Sequence, residues 1–156
     1  MSRQVLISRR EEDAKELAKA LKENLYKPLI KEALEIYITP DSPLLSNAIK
    51  AAQTLALPSA SAARFLNQLE SVTCDHIYAQ GKRAALAFEG KQTIQISVGI
   101  YAEDGAQCIH DDQPSAWVTI LQGDLARPNL QNELERLGHR VTTLTVYENR
   151  CPTNLQ

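Results

Sequence analysis

The amino-acid sequence predicts an α/β fold, a doubly wound parallel sheet with helices on both faces, and four observations carry that expectation. Residues 117–121 (WVTIL) are a short apolar run rich in β-branched side chains that stops at Gln122-Gly123, as a buried parallel strand does at a tight turn. Beyond the turn Leu130, Leu134 and Leu137 recur at i, i+4 and i+7, which gives a helix one apolar stripe. Gly138 stands where a helix stops in the left-handed conformation, and His139 beside it suits the negative end of the helix dipole. Residues 140–147 then alternate Val141, Thr143, Thr145 and Tyr147 with Thr142, Leu144 and Val146 as a second strand. Together these make a strand–turn–helix–strand unit of about thirty residues, the length of a parallel crossover.

The other elements follow in order. Val5, Leu6 and Ile7 form a first strand; Ser8 is a candidate cap, and Glu11, Glu12 and Asp13 place negative charge in the first turn of a helix whose stripe is Ala14, Leu17, Ala18 and Leu21. Residues 26–40 read as extended, interrupted at Pro28, with Leu34, Ile36 and Ile38 alternating with Glu35 and Tyr37. Asp41 or Ser42 caps a helix with Pro43 in its first turn. Residues 54–58 are a strand that turns at Pro58-Ser59 into a helix over 60–69, with Ala62, Phe65, Leu66 and Leu69 buried. Residues 76–79 and 93–97 are further strands, with a turn and helix from Gly81 to Leu86 after the first of them. Residues 99–115 show little periodicity and predict a loop, with at most a short helix around 106–109.

Composition excludes several function classes. With 156 residues, 44% of them apolar and 23% charged, the chain can bury a core without metals or disulfides. A net charge of −2 argues against a nucleic-acid binder, and no apolar run approaches membrane-spanning length, so neither nucleic acid nor membrane is expected as a partner. Cys74, Cys108 and Cys151 are separated and odd in number, and the first residues lack a signal-peptide core, which together suit a cytoplasmic location. Cys108, His110, Asp111 and Asp112 are metal-ligand types, but no second cluster accompanies them, so no metal is expected. No Walker motif, dinucleotide fingerprint or G-x-S-x-G elbow is present.

The run ILQGDLARPNLQNELERLGHRVTTLTVYENR resembles the glycine-turn, arginine, L-x-x-x-L-x-x-x-G-x-x-V, valine-tyrosine pattern of uroporphyrinogen-III synthases. RQVLISRREEDAKELAKAL resembles the family's opening strand and helix, the segment at Ser59 its serine and A-x-x-F element, and Gln80 to Leu86 its I-G-x-x-T-A-x-x-L turn. Pro58 and Ala84 replace hydroxyl residues of that pattern. The resemblance implies domains at 1–35 (a strand–helix unit like the start of the family's first domain) and 36–150 (one complete α/β domain), with a tail at 151–156. It covers nearly all of this sequence and a little over half of a full-length member.

Beyond the carboxyl ends of the strands, the turns would gather Arg9, Arg10, Lys82, Arg83 and Arg127 with Gly81 and Gly123 into a cationic rim for a polycarboxylate; solvated surface charge is the alternative. The family's substrate is hydroxymethylbilane, a linear tetrapyrrole that loses water and closes through a spiro intermediate to uroporphyrinogen III. Such chemistry requires no cofactor; it requires positioning and help for a departing hydroxide. The resemblance makes Tyr147 the candidate proton donor and Ser59 a carboxylate contact, against the plainer readings of a strand-end aromatic and a helix cap. The rival function is a non-catalytic remnant that binds a polycarboxylate or serves assembly. Residues 1–25 alone cannot bury their apolar faces, so the unit either adds to the sheet of its own domain or, the favoured reading, finds its partner in a homodimer or in a second chain completing the half-domain.

Overall fold

The computed structural model describes residues 3–8, 11–31, 34–90, 94–97 and 101–152. The chain divides into two compact units, Met1–Tyr37 with Asn149–Gln156, and Ile38–Glu148.

In the first unit β1 (Gln4–Ile7) and β2 (Lys27–Ile30) pair in parallel, joined through α1 (Glu11–Glu23). Ile7, Ala14 and Ala18 form a small core, with Leu21 and Ile30 against it. The extended stretch expected over 26–40 is therefore partly a paired strand, and Pro28 lies inside it opposite Val5. A two-stranded sheet leaves each strand an open edge, and a residue without a backbone N–H is tolerated there. Residues 1–25 thus have a pairing partner in their own chain, in the strand that follows them. Leu6 and Leu29 face each other across the pair and remain exposed.

The larger sheet has six strands in the order β3-β8-β7-β4-β5-β6. These are β3 (Glu35–Ile38), β4 (Thr54–Leu57), β5 (His76–Gln80), β6 (Ile94–Ser97), β7 (Trp117–Gly123) and β8 (Arg140–Arg150). The pairs β4 with β5, β4 with β7, β5 with β6 and β7 with β8 are all parallel. Every strand expected from the sequence is present, although Thr93 lies outside the described residues. β4 is central and buried at all four positions, which is why it reads as a continuous apolar run rather than an alternation.

Helices cover both faces. Leu55, Leu57, Ile77 and Leu121 point into one core with Phe65 and Leu66 of α3 (Ala60–Leu66) and Ile49 of α2 (Pro43–Lys50). Ala56, Tyr78, Val118 and Ile120 point into the other with Ala106 and Ile109 of α5 (Ala102–Asp112) and Leu130 and Leu134 of α6 (Asn129–Arg136). Ser42 caps α2 by accepting from Leu45 N–H at 3.3 Å, with Pro43 opening the first turn. α4 (Lys82–Leu86) starts after Gly81, whose φ is +82°.

Four expectations are corrected. Residues 102–112 form a three-turn helix instead of a loop, because its buried residues Gly105, Ala106 and Ile109 are mostly small and give little periodic signal. α3 stops at Leu66, so 67–69 are turns and Leu69 is only partly buried. His139 is 5% exposed, and instead of a cation on the helix dipole it closes α6: Gly138 N–H bonds Glu135 O at 3.0 Å and His139 N–H bonds Leu134 O at 3.0 Å, around a Gly138 φ of +88°. The His139 ring is held by Ala116 O at 3.3 Å and by His110 at 3.3 Å, and burial holds its pKa below the ordinary value. Lastly, Gln122 pairs with Thr145 but Gly123 pairs with Tyr147, so β8 carries one extra residue. That bulge puts Val146 and Tyr147, neighbours in sequence, against the same core as Leu144, where strict alternation would have sent Tyr147 to the other face.

Candidate active site

Strand order reverses between β4 and β7, with β5 and β6 on one side and β8 on the other. At such a switch point the turns leaving two neighbouring strands diverge and open a crevice beyond their carboxyl ends. A cleft of about 410 Å³ lies there, lined by Pro58 and Ser59 after β4, Gln122 of β7, Ala126 and Arg127 of the following turn, and Tyr147. Gln80, Tyr101, Ala102, Glu103, Ile120, Asn129 and Leu130 complete its wall. All of these residues belong to the unit Ile38–Glu148.

Ser59 lies between β4 and α3 as the N-cap of α3, and its extended backbone (φ −148°, ψ 158°) directs its hydroxyl back over the helix start. There Oγ accepts from Ala62 N–H at 3.2 Å, the capping role expected of it, and also bonds the phenol oxygen of Tyr147 at 3.2 Å. Tyr147 comes from the bulge in β8, and its carbonyl accepts from Asp124 N–H at 3.1 Å. Its ring lies against Gly123: a Cβ built there would stand under 3.0 Å from three ring carbons. Glycine is needed at this point for close approach, and its turn conformation is not what demands it.

Arg127 is exposed on the turn, with no hydrogen bond or ion pair to the described residues. The helix it leads into, α6, has no side-chain cap and no acidic residue in its first turn, so its first N–H groups and Arg127 together present positive charge to the cleft. Glu103, at the start of α5, also lines the cleft, so its lining residues include one cation and one anion. Of the basic residues expected to form a cationic rim, Arg127 is the one that lines this cleft. Gly81, Lys82 and Arg83 sit at the same edge of the parallel sheet but do not line the cleft, where Gln80 takes that place. Arg9 and Arg10 lie outside the described residues.

The polar residues at the other end of the sheet answer to different partners. Asp112 accepts from the Tyr78 hydroxyl and from Gln95 Nε2 at 3.2 Å, with His76 at 4.0 Å. The Tyr78 hydroxyl holds Asp112 below the usual carboxylate range, while burial, then the Asp112 carboxylate, pushes the Tyr78 phenol up. His110 turns to His139, and no group of three or more metal-ligating side chains occurs among the described residues.

A family profile described as "Uroporphyrinogen-III synthase HemD" matches residues 15–156. The chain belongs to the uroporphyrinogen-III synthase family. Two solved structures of the uroporphyrinogen III synthase from Thermus thermophilus share its fold: a mutant in selenomethionine form at 18% identity and TM-score 0.65, and the wild type at 20% and 0.58. Each covers 97% of this chain, which spans 64% and 63% of the respective structures. No curated protein matches. No helix among the described residues is long and apolar enough to cross a membrane.

Within this uroporphyrinogen-III synthase fold, the cleft residues that sequence reasoning missed are Gln80, Tyr101, Glu103, Gln122 and Asn129. Tyr101 and Glu103 stand at the start of α5, the helix whose weak periodicity concealed it. Gln122 was legible: it is the last residue before the turn glycine, where a side chain reaches beyond the sheet edge.

Proposed function

We propose that this protein closes hydroxymethylbilane to uroporphyrinogen III with loss of water, at the cleft between β4 and β7, as a hydro-lyase of tetrapyrrole and heme biosynthesis in the cytosol. The observation that carries the reading is Tyr147, fixed at the cleft by Ser59 and Gly123 and facing the same space as Arg127. The Tyr147 hydroxyl donates its proton to the departing hydroxide, and a half-buried phenol has the polar tip and apolar body that suit this position. Arg127 and the open start of α6 bind a side-chain carboxylate of the substrate. Gln80, Gln122 and Asn129 offer amide donors and acceptors to a pyrrole ring and its arms. Lys82, Arg83 and the turn at Gly81 extend the anion-binding edge to carboxylates that project from the cleft, and Arg9 and Arg10 do the same after β1. The step involves no change of oxidation state, so no cofactor is invoked.

The rival, a polycarboxylate-binding module without turnover, draws support from Arg127 and the uncapped start of α6, which need only hold a carboxylate. Incubation with hydroxymethylbilane separates the two, because spontaneous closure gives the type I isomer. Type III product above background supports the synthase; binding of the substrate with type I alone supports the module. A homodimer, or a second chain that completes the first unit over exposed Leu6 and Leu29, remains part of the proposal, and sedimentation of the purified protein tests it.

A further inference from the structure

We infer that Ser59 and Gly123 are positioning residues for the Tyr147 phenol and not substrate contacts: one sets the direction of its hydroxyl, the other the place of its ring. The inference rests on Tyr147 being the proton donor. It replaces the carboxylate-binding role that a serine and a glycine at a turn would otherwise suggest.

The geometry leaves Ser59 little to offer a substrate. Its oxygen already accepts from Ala62 N–H at 3.2 Å, and its one proton goes to the Tyr147 oxygen at 3.2 Å. A serine hydroxyl carries a single donor, so a second donation to a carboxylate would break the first. Receiving that bond, the phenol oxygen keeps its own proton free, and the phenol's O–H is turned away from Ser59. Gly123 acts on the other side of the residue. The hydrogen in its Cβ direction faces the Tyr147 ring, and a carbon there would stand under 3.0 Å from Cε2, Cζ and Cδ2. Ser59 and Gly123 lie at the ends of two different strands, β4 and β7, and the bulge in β8 brings Tyr147 to both. A half-buried tyrosine held in this way loses the rotamer freedom that would otherwise dilute a productive orientation.

The test pairs kinetics with a readout that needs no turnover. In type III formation, Ser59→Ala is expected to lower kcat roughly ten- to a hundredfold with KM nearly unchanged, and Ser59→Thr, which keeps the hydroxyl, to recover most of the loss. In a Tyr147→Phe background Ser59→Ala should change kcat no further, because the oxygen it acts through is gone. A loss that persists in that background, or a rise in KM in both, overturns the inference and makes Ser59 a substrate contact or a purely structural cap. Ser59→Gly serves as the second variant, since glycine keeps most of the helix-capping preference without the hydroxyl. Independently, NMR of tyrosine-labelled protein should show contacts between the Tyr147 ring and the Gly123 Cα hydrogens that weaken in Ser59→Ala. Ring signals identical in wild type and Ser59→Ala overturn the positioning role whether or not the protein makes type III. Weakened contacts in a protein that yields only type I product leave the positioning intact and remove the cyclase reading instead.

Discussion

Replacement of Gly105 by alanine should stabilise this protein, and the structure gives the size of the effect. Gly105 is a buried residue at the fourth position of α5, its N–H bonded to Tyr101 O at 3.3 Å and its φ not positive, and glycine there costs a helix up to about 0.8–1 kcal/mol relative to alanine. A Cβ built there would meet Leu130 Cδ1 at 3.6 Å and Gln80 Cδ at 3.9 Å, ordinary van der Waals distances that require nothing to move. The new methyl would also be removed from water, adding up to about 0.8 kcal/mol. The sum is about 1–2 kcal/mol, or roughly 3–6 °C in Tm for a protein of this size. Thermal unfolding followed by circular dichroism, with urea midpoints at unchanged slope, reads it directly. Gly123→Ala is the internal control of opposite sign, because there the Tyr147 ring must shift. The reasoning is refuted if Gly105→Ala leaves Tm unchanged or lowers it, since that would mean the α5–α6 contact is tighter than the distances above allow.

Three other outcomes are expected. His139 has a folded-state pKa held below its ordinary 6.5, mainly by burial, so the unfolded chain binds the proton first and stability should fall as pH drops below about 6.5 toward the depressed value; in His139→Gln that part of the Tm–pH slope should flatten. Arg127→Ala should weaken citrate or substrate binding by up to about 1 kcal/mol at low salt and by less as salt rises, because Arg127 is exposed and screened; an effect independent of salt would mean the residue acts by some route other than charge. Amides of β1 and β2 should exchange with deuterium far faster than those of β4 and β7, since the first unit's core has few buried residues; equal protection would show that the two units unfold together.

The fold was legible where burial is one-sided or complete. The apolar runs of β4 and β7 could only be buried strands, and the spacing of Leu130 and Leu134 could only be a helix facing them. α5 was hidden because it packs through Gly105 and Ala106, residues whose contribution comes from closeness and not from hydrophobicity. β2 was hidden by Pro28, a strand breaker except at an open edge. At the site, Arg127, Ser59 and Tyr147 were individually visible, but the bond joining Ser59 to Tyr147 spans 88 positions and left no trace in local pattern. Gly123 stood out as a turn residue, whereas what requires glycine there is a ring from another strand.

The extra residue in β8 has a consequence for how this strand tolerates change. Upstream of it, odd and even positions divide cleanly between the two faces; downstream the parity is reversed, so Glu148 and Arg150 follow the opposite count from Thr142 and Leu144. Val146 is the surplus residue, and it is fully buried. Deleting it would restore an even count and still leave the phenol opposite Gly123, at the cost of a hole in the core of about 1–3 kcal/mol. Inserting one residue at the same point would spare the core and carry the phenol out of step with the glycine beneath it. The strand therefore tells a shortening from a lengthening: the first damages stability, the second chemistry.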